Sequence, residues 1–238
     1  MNTNTELLED SLSELKIEWS DEMIDKFNAY YDLLIEWNNK INLTTITEYD
    51  DVVLKHFIDS VLICTFTDLS NKRVIDVGTG AGFPGIPLKI LNPDCEIFLI
   101  DSLNKRVKFL ECVSQELKFN NIKILHGRAE DLAKNETIRS SFDYSVSRAV
   151  ANLSTLCEYC IPFLKRGGSF ISYKSDKSDI EIESAENAIK ILGSKIDRIE
   201  ERKLPGTDIK RKLVVIKNIK EISDKYPRKA GIPAKEPL

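Results

Sequence analysis

The chain has 238 residues, with 34 Lys+Arg against 38 Asp+Glu, 42% apolar side chains and 30% charged ones. This composition excludes whole-chain disorder, and a chain of this length buries roughly 70–75% of its unfolded surface without disulfide or metal staples. The net charge of −4 hides a gradient: residues 1–60 hold 14 acids and 4 bases, residues 61–194 hold 17 of each, and residues 195–238 hold 13 bases and 7 acids. An acidic total therefore does not exclude a nucleic-acid partner, because the basic end is a candidate docking surface for an anion. The plain alternative for that end is a solvated, Lys-rich edge.

The N-terminal region reads as helical. Leu7, Leu8, Leu12 and Leu15 recur at helical spacing. Ser20 is a candidate N-cap, with Asp21 and Glu22 in the first turn. A long apolar stripe follows: Met23, Ile24, Phe27, Tyr30, Tyr31, Leu34, Trp37 and Ile41. A third helical stretch covers 52–66. From residue 72 short apolar runs alternate with amphipathic segments. Strands are predicted at 73–77, 96–100, 122–125, 144–147, 169–173, 196–199 and 213–216. Helices are predicted at 84–91, 103–118, 129–133, 150–163 and 180–192. This alternation implies a largely parallel sheet with crossover helices. Only the turn Leu204-Pro205-Gly206-Thr207 separates the last two strands, so they are predicted to be antiparallel. The expected layout is an N-terminal helical cap (1–70), an α/β core (71–220) and a basic tail (221–238).

No run of about 18 apolar residues marks a transmembrane helix. Residues 1–6 lack the basic-then-apolar pattern of a secretory signal. Five irregularly spaced cysteines (Cys64, Cys95, Cys112, Cys157, Cys160) suit a reducing cytoplasm. Cys157 and Cys160 form a C-x-x-C inside a helical run with no second pair nearby. They are expected to be buried, and no metal site is expected.

Four of the ten glycines fall within eight residues: Gly78, Gly80, Gly82 and Gly85. They lie between the first predicted strand and a helix, the arrangement that cradles a nucleotide-like ligand. The dinucleotide fingerprint G-x-G-x-x-G fails, because its third position is Phe83. The spacing present is G-x-G-x-G, preceded by Asp76. That pattern suits S-adenosylmethionine, whose cationic sulfonium and amino groups favour a nearby carboxylate. Asp101 ends the second strand, where it can accept hydrogen bonds from both ribose hydroxyls. Ala129 and Glu130 follow the third strand, where a small residue beside an acid can hold adenine. NAD or a purely structural turn are the alternatives. The expected fold is α/β, a Rossmann-like S-adenosylmethionine-dependent methyltransferase with a seven-stranded mostly parallel sheet and an N-terminal helical extension.

The acceptor is less constrained. Amine methylation commonly uses an Asp/Asn-Pro-Pro-aromatic turn after strand four, but Ser147-Arg148-Ala149-Val150-Ala151-Asn152 holds no proline. Pyrimidine C5 chemistry needs a nucleophilic cysteine, and Cys157 lies too far inside a helix. A 2′-hydroxyl acceptor needs a base, for which Lys174 is available. Guanine N7 already carries a lone pair and needs positioning rather than a base. Arg148, after strand four, can bind the methionine carboxylate, stack on a base or touch a phosphate. His56, Asp59 and Ser60 share one short helical segment and are expected to serve helix packing rather than a triad. His126 is expected to be a strand-edge residue. A small-molecule or protein methyltransferase and a non-catalytic ribosome-binding module remain open on these grounds.

The stretch Asp76-Val77-Gly78-Thr79-Gly80-Ala81-Gly82-Phe83-Pro84-Gly85-Ile86-Pro87 resembles the signature of the bacterial ribosomal RNA small subunit methyltransferase G family, also called glucose-inhibited division protein B. Trp37 to Thr44, His56-Phe57-Ile58-Asp59-Ser60, Ser147 to Ala151 and Tyr226-Pro227-Arg228-Lys229-Ala230-Gly231-Ile232-Pro233 are similar to its other motifs. The resemblance implies methyl transfer to N7 of one guanosine of 16S rRNA, with free rRNA or the small subunit as partner and a monomeric enzyme. It implies cofactor contacts at Gly78, Phe83, Ala129, Glu130 and Arg148. Asp76, Gly80, Gly82 and Asp101 join that set from the strand-end argument. Arg148, Arg228 and Lys229 are the expected RNA contacts, so reversing the last two is expected to weaken RNA association and spare the cofactor.

Overall fold

The computed structural model of the chain describes residues 5–238. Residues 1–4, read above for an export signal, lie outside the described residues. Each predicted strand falls inside an observed one: β1 (Arg73–Val77), β2 (Glu96–Asp101), β3 (Ile122–His126), β4 (Phe142–Arg148), β5 (Leu164–Ser175), β6 (Ser194–Lys203) and β7 (Lys210–Asn218). They form one sheet in the order β3-β2-β1-β4-β5-β7-β6. β1 to β5 pair in parallel, and β7 runs antiparallel to both β5 and β6. The order reverses at β1/β4, and ligands of such sheets sit in that crevice, beyond the carboxyl ends of the strands.

Alternation along β1 and β2 divides the core into two layers. Val74, Ile97 and Leu99 face one cluster, and Ile75, Val77, Phe98 and Ile100 face the other. The first layer is covered by α1 (Glu6–Glu14), α2 (Asp21–Ile41), α5 (Gly85–Leu91), α6 (Asn104–Glu116) and a winding segment between α2 and β1. That segment is α3 (Tyr49–Val52), a π-helical turn (Val53–Ile58), α4 (Asp59–Val61) and a 3₁₀ turn (Leu62–Thr65). The sequence pattern reads it as one helix; the π turn within it widens the helical bore. The second layer is covered by α8 (Leu153–Cys160), α9 (Asp179–Ser184) and α10 (Glu186–Ile191), with α7 (Ala129–Leu132) and α11 (Ile232–Lys235) at its edge.

Local signals explain most boundaries. The Ser20 hydroxyl accepts from the Met23 amide at 3.4 Å, and Asn42 closes α2 in the left-handed region at φ 49°. The helix predicted at 150–163 starts three residues late. Asn152 caps it by accepting from the Thr155 amide at 2.9 Å, after Ala149 has turned the chain at φ +56°. The helix predicted at 180–192 is two short ones that break at Ala185.

The N-terminal helices pack directly on the sheet. Phe27, Tyr30 and Leu34 of α2 are fully buried in the same cluster as Val74, Leu99 and Phe109. Burial of each such side chain contributes roughly 1.5–3 kcal/mol. Residues 221–238 pack as well, with Ile222, Pro227 and Pro233 buried against the second layer.

Candidate active site

The glycine loop leaves β1 and crosses the carboxyl end of β2, where the Gly78 and Thr79 amides donate to the Ile100 carbonyl at 3.0 and 3.1 Å. Gly78, Gly80 and Gly82 have φ of +72°, +62° and +100°, a region that side chains rarely adopt. Asp76 holds the loop from beneath: one carboxylate oxygen accepts from the Thr79 hydroxyl at 2.6 Å and from the Gly85 amide at 2.8 Å. Its other oxygen is buried without a protein partner, and burial pushes the carboxyl up to about 7. The Tyr30 hydroxyl donates to the Ala81 carbonyl and so ties α2 to the loop. Asp101 accepts from the Gly80 amide at 3.0 Å, from the Leu103 amide at 2.8 Å and from Arg106 at 3.3 Å.

A cavity of about 910 Å³ opens over this loop. Its floor includes Gly78, Gly80, Phe83 and Asp101, and its far wall includes His56, Asp59, Arg148, Lys174, Glu181 and Arg211. A smaller chamber of about 360 Å³ adjoins it and shares Gly78, Asp101, Ser102 and Val150. The chamber has apolar walls at Val77, Ile100 and Ala129, with Glu130 at its edge.

The far wall is a charged lattice. Asp59 is 3% exposed and accepts from Arg148 and from Arg211, each at 2.9 Å. Arg148 also lies over the Phe83 ring at 5.2 Å and reaches the Lys55 and His56 carbonyls. His56 stacks on Phe83 with ring centroids 4.5 Å apart, and its Nε2 lies 2.9 Å from the Thr44 hydroxyl. Burial, reinforced by the Arg148 charge, pushes its imidazole down to about 4, so it is neutral at pH 7. Lys174 donates to Glu181 at 2.6 Å and to the Ala151 carbonyl at 3.1 Å. The same Glu181 oxygen accepts from the Leu153 amide at 2.6 Å, which fixes the segment after β4.

The structure sorts the predicted residues. Gly78, Gly80, Phe83, Asp101 and Arg148 line the large cavity, and Ala129 and Glu130 line the chamber. Two expected contacts line neither. Asp76 shapes the loop from below, and a Cβ on Gly82 would meet Ile86 and the Tyr30 hydroxyl within 2.7 Å. Arg228 departs from the expected RNA contact. Its guanidinium grips Glu158 through Nε at 3.0 Å and Nη2 at 2.7 Å. Lys229 is exposed and outside both cavities. Lys174 is tied up as a donor, which weakens its reading as a base. Cys157 and Cys160 are buried, with burial pushing both thiols up. Sequence reasoning missed Arg211 and gave Asp59 only a packing role. The spacing of Asp59 within His56-Phe57-Ile58-Asp59-Ser60 was a visible signal, but its two partners lie 89 and 152 residues away.

A family model for rRNA small subunit methyltransferase G (GidB) matches residues 23–224. The chain belongs to this family. It is 47% identical to ribosomal RNA small subunit methyltransferase G of Clostridium tetani, over 98% of each chain. It is 49% identical to the protein of that name from Acetivibrio thermocellus, over 98% of this chain and 96% of the relative. In three dimensions it is similar to a SAM dependent methyltransferase from Aquifex aeolicus, with TM-score 0.53 and 16% identity over 70% of this chain and 93% of that one. It is also similar to TYW2 from M. jannaschii solved in complex with AdoMet, with TM-score 0.52 and 16% identity over 87% of this chain and 80% of that one.

By family and fold the chain is an S-adenosylmethionine-dependent methyltransferase. The site fits that cofactor. A Cβ on Gly80 would meet no atom within 4 Å, so open space lies over the loop where a ligand backs onto bare chain. The Asp101 carboxylate stands at the boundary of the two cavities, in reach of a ribose, and the apolar chamber beyond it suits a flat purine. Arg148 at the other end suits an amino-acid carboxylate or the acceptor.

Proposed function

We propose that this chain transfers the methyl group of S-adenosylmethionine to N7 of a guanosine in the 16S rRNA of the small ribosomal subunit. Bound S-adenosylmethionine supplies an electrophilic methyl group on a sulfonium. The carrying observation is the charge arrangement of the cavity's far wall: two guanidinium groups share the one Asp59 carboxylate, and the neighbouring lysine is already engaged. Such a wall binds and orients an anionic, planar acceptor and does not need to remove a proton. Guanine N7 needs no deprotonation before attack. Alignment of donor and acceptor alone supplies roughly 7–11 kcal/mol of the barrier reduction.

The roles divide along the cavity. Asp101 and the Gly78–Gly80 backbone orient the cofactor. Phe83, braced by neutral His56, offers a flat surface, and Arg148 and Arg211 offer donors to phosphate or base edges. No helix among the described residues is long and apolar enough to cross a membrane. A ribosomal substrate supports a cytoplasmic reaction.

The test is methyl transfer from labelled S-adenosylmethionine to small subunits and to protein-free 16S rRNA lacking the modification, with the modified base mapped by mass spectrometry. One N7-methylguanosine is the expected product. Methylation of a ribose hydroxyl, or of a protein, would overturn the reading.

A further inference from the structure

The segment after β7 has an arrangement that RNA binding does not require. Four anchors hold it to the second layer. Arg139 donates to the Tyr226 carbonyl at 2.8 Å and to the Ser223 carbonyl at 3.2 Å. Glu158, only 1% exposed on α8, accepts from the Arg228 amide at 2.7 Å as well as from its guanidinium. The Thr155 hydroxyl donates to the Pro233 carbonyl at 3.0 Å. The Gly231 amide, presented at φ +87°, donates to Glu130 at 2.8 Å. Glu130 is itself buried, and it lies at the edge of the small chamber beside Ala129. Just beyond these anchors, Ala234 supplies part of the chamber wall, opposite residues from the ends of β1 and β2.

We infer that residues 226–236 form the outer wall of the adenine chamber, with Arg228 and Gly231 as its positioning residues. This rests on the cofactor reading of the chamber. Two carboxylates connect the tail to the ligand. Glu158 would be a buried, unpaired charge without Arg228, so the tail is held down firmly. Glu130 takes its hydrogen bond from the tail, so its carboxylate is aimed at the chamber edge only when the tail is docked. The ligand and the tail therefore stabilise one another, and coupling of this kind is reciprocal. One of the segment's basic residues, Arg228, is spent on an internal acid, while Lys225, Lys229 and Lys235 are exposed.

The proposal is tested on the full chain with S-adenosylhomocysteine as probe, with rRNA used only for the binding comparison of Arg228→Met. Two measurements are needed. Hydrogen exchange at the Gly231 amide is expected to slow by about tenfold at saturating probe. Ala234→Trp, a change at an exposed position, is expected to weaken probe affinity by about tenfold by calorimetry while the unliganded melting temperature stays put. Arg228→Met is expected to weaken the probe in the same direction and to abolish the exchange effect. Unchanged exchange at Gly231 overturns the proposal, and so does unchanged affinity in Ala234→Trp. If Arg228→Met weakens rRNA binding and leaves probe affinity intact, the tail is an RNA element and the proposal fails. None of these readouts uses methyl transfer, so a different acceptor would leave them standing.

Discussion

The two halves of the cavity are built in different ways. The glycine-loop side of the cofactor half is built largely on backbone amides and mostly nearby residues: Asp76 reaches three and nine residues ahead, and Asp101 reaches two and five ahead and 21 back to the Gly80 amide. The acceptor half is side chain and long-range, with Asp59 joining arginines from β4 and β7 across 89 and 152 residues. Backbone amides in a strained glycine loop have few alternatives, so the first half is rigid once the sheet forms. The second half depends on three chain segments arriving together. The first is therefore sensitive to the volume of one atom, and the second to the loss of one charge.

Substitutions can separate the halves. The largest effect is expected for Gly82→Ala, which combines φ +100° with clashes against Ile86 and Tyr30. It should lower unfolding free energy by about 3 kcal/mol or more, read by denaturant melts, and abolish cofactor binding. Asp59→Asn should come next. It strips the shared counter-charge from Arg148 and Arg211, and, with Arg211 partly solvated, should lower stability by about 2 kcal/mol. Methyl transfer to RNA should collapse, while affinity for S-adenosylhomocysteine measured by calorimetry stays within about threefold. A matched loss of both would mean the halves are one unit.

His56 sits between the halves and gives a pH test. Its folded value of about 4 lies below the ordinary 6.5. Its contribution is therefore present above pH 6.5 and lost as pH falls towards 4. His56→Gln should remove up to about 2 kcal/mol of the acid-side loss over that window, seen by comparing urea midpoints at pH 7 and 4.5. Gly80→Ala is milder: its Cβ meets open space, so about 1 kcal/mol of backbone strain is expected, yet the cofactor should lose affinity because the methyl group occupies its place. Lys26→Ala, which breaks an exposed pair with Glu22 on α2, should change stability by less than about 0.5 kcal/mol and neither binding reaction.

The same difference explains what the sequence made legible. Gly78 to Gly85 and Asp101 were readable because their chemistry is contiguous with strand ends that periodicity marks. The mostly parallel sheet followed from alternation, and its terminal antiparallel pair from the helix-free turn at Leu204 to Thr207. Asp59 and Arg211 were not readable as a pair, because nothing local links residue 59 to residue 211. Arg228 shows the same limit: its charge is visible in sequence, but the buried Glu158 it pairs with lies 70 residues earlier. Strand-end position alone also does not tell a carboxylate that lines the cavity from one that holds the loop from beneath, as Asp76 does. The helix boundary at Leu153 depended on the Ala149 turn, which alanine does not signal.

The hydrogen bond from Gly231 to Glu130 also has a consequence in time. A chain is made from its N-terminus, and its early segments fold first. The glycine loop and Asp101 leave the ribosome long before Ala234 does. Glu158 and Glu130 must wait for Arg228 and Gly231 before these partners exist. A nascent or prematurely ended chain can thus form the sheet and the loop while its cofactor chamber stays open on one side. An enzyme built this way closes its cofactor chamber only after residues 228–234 have been made and docked.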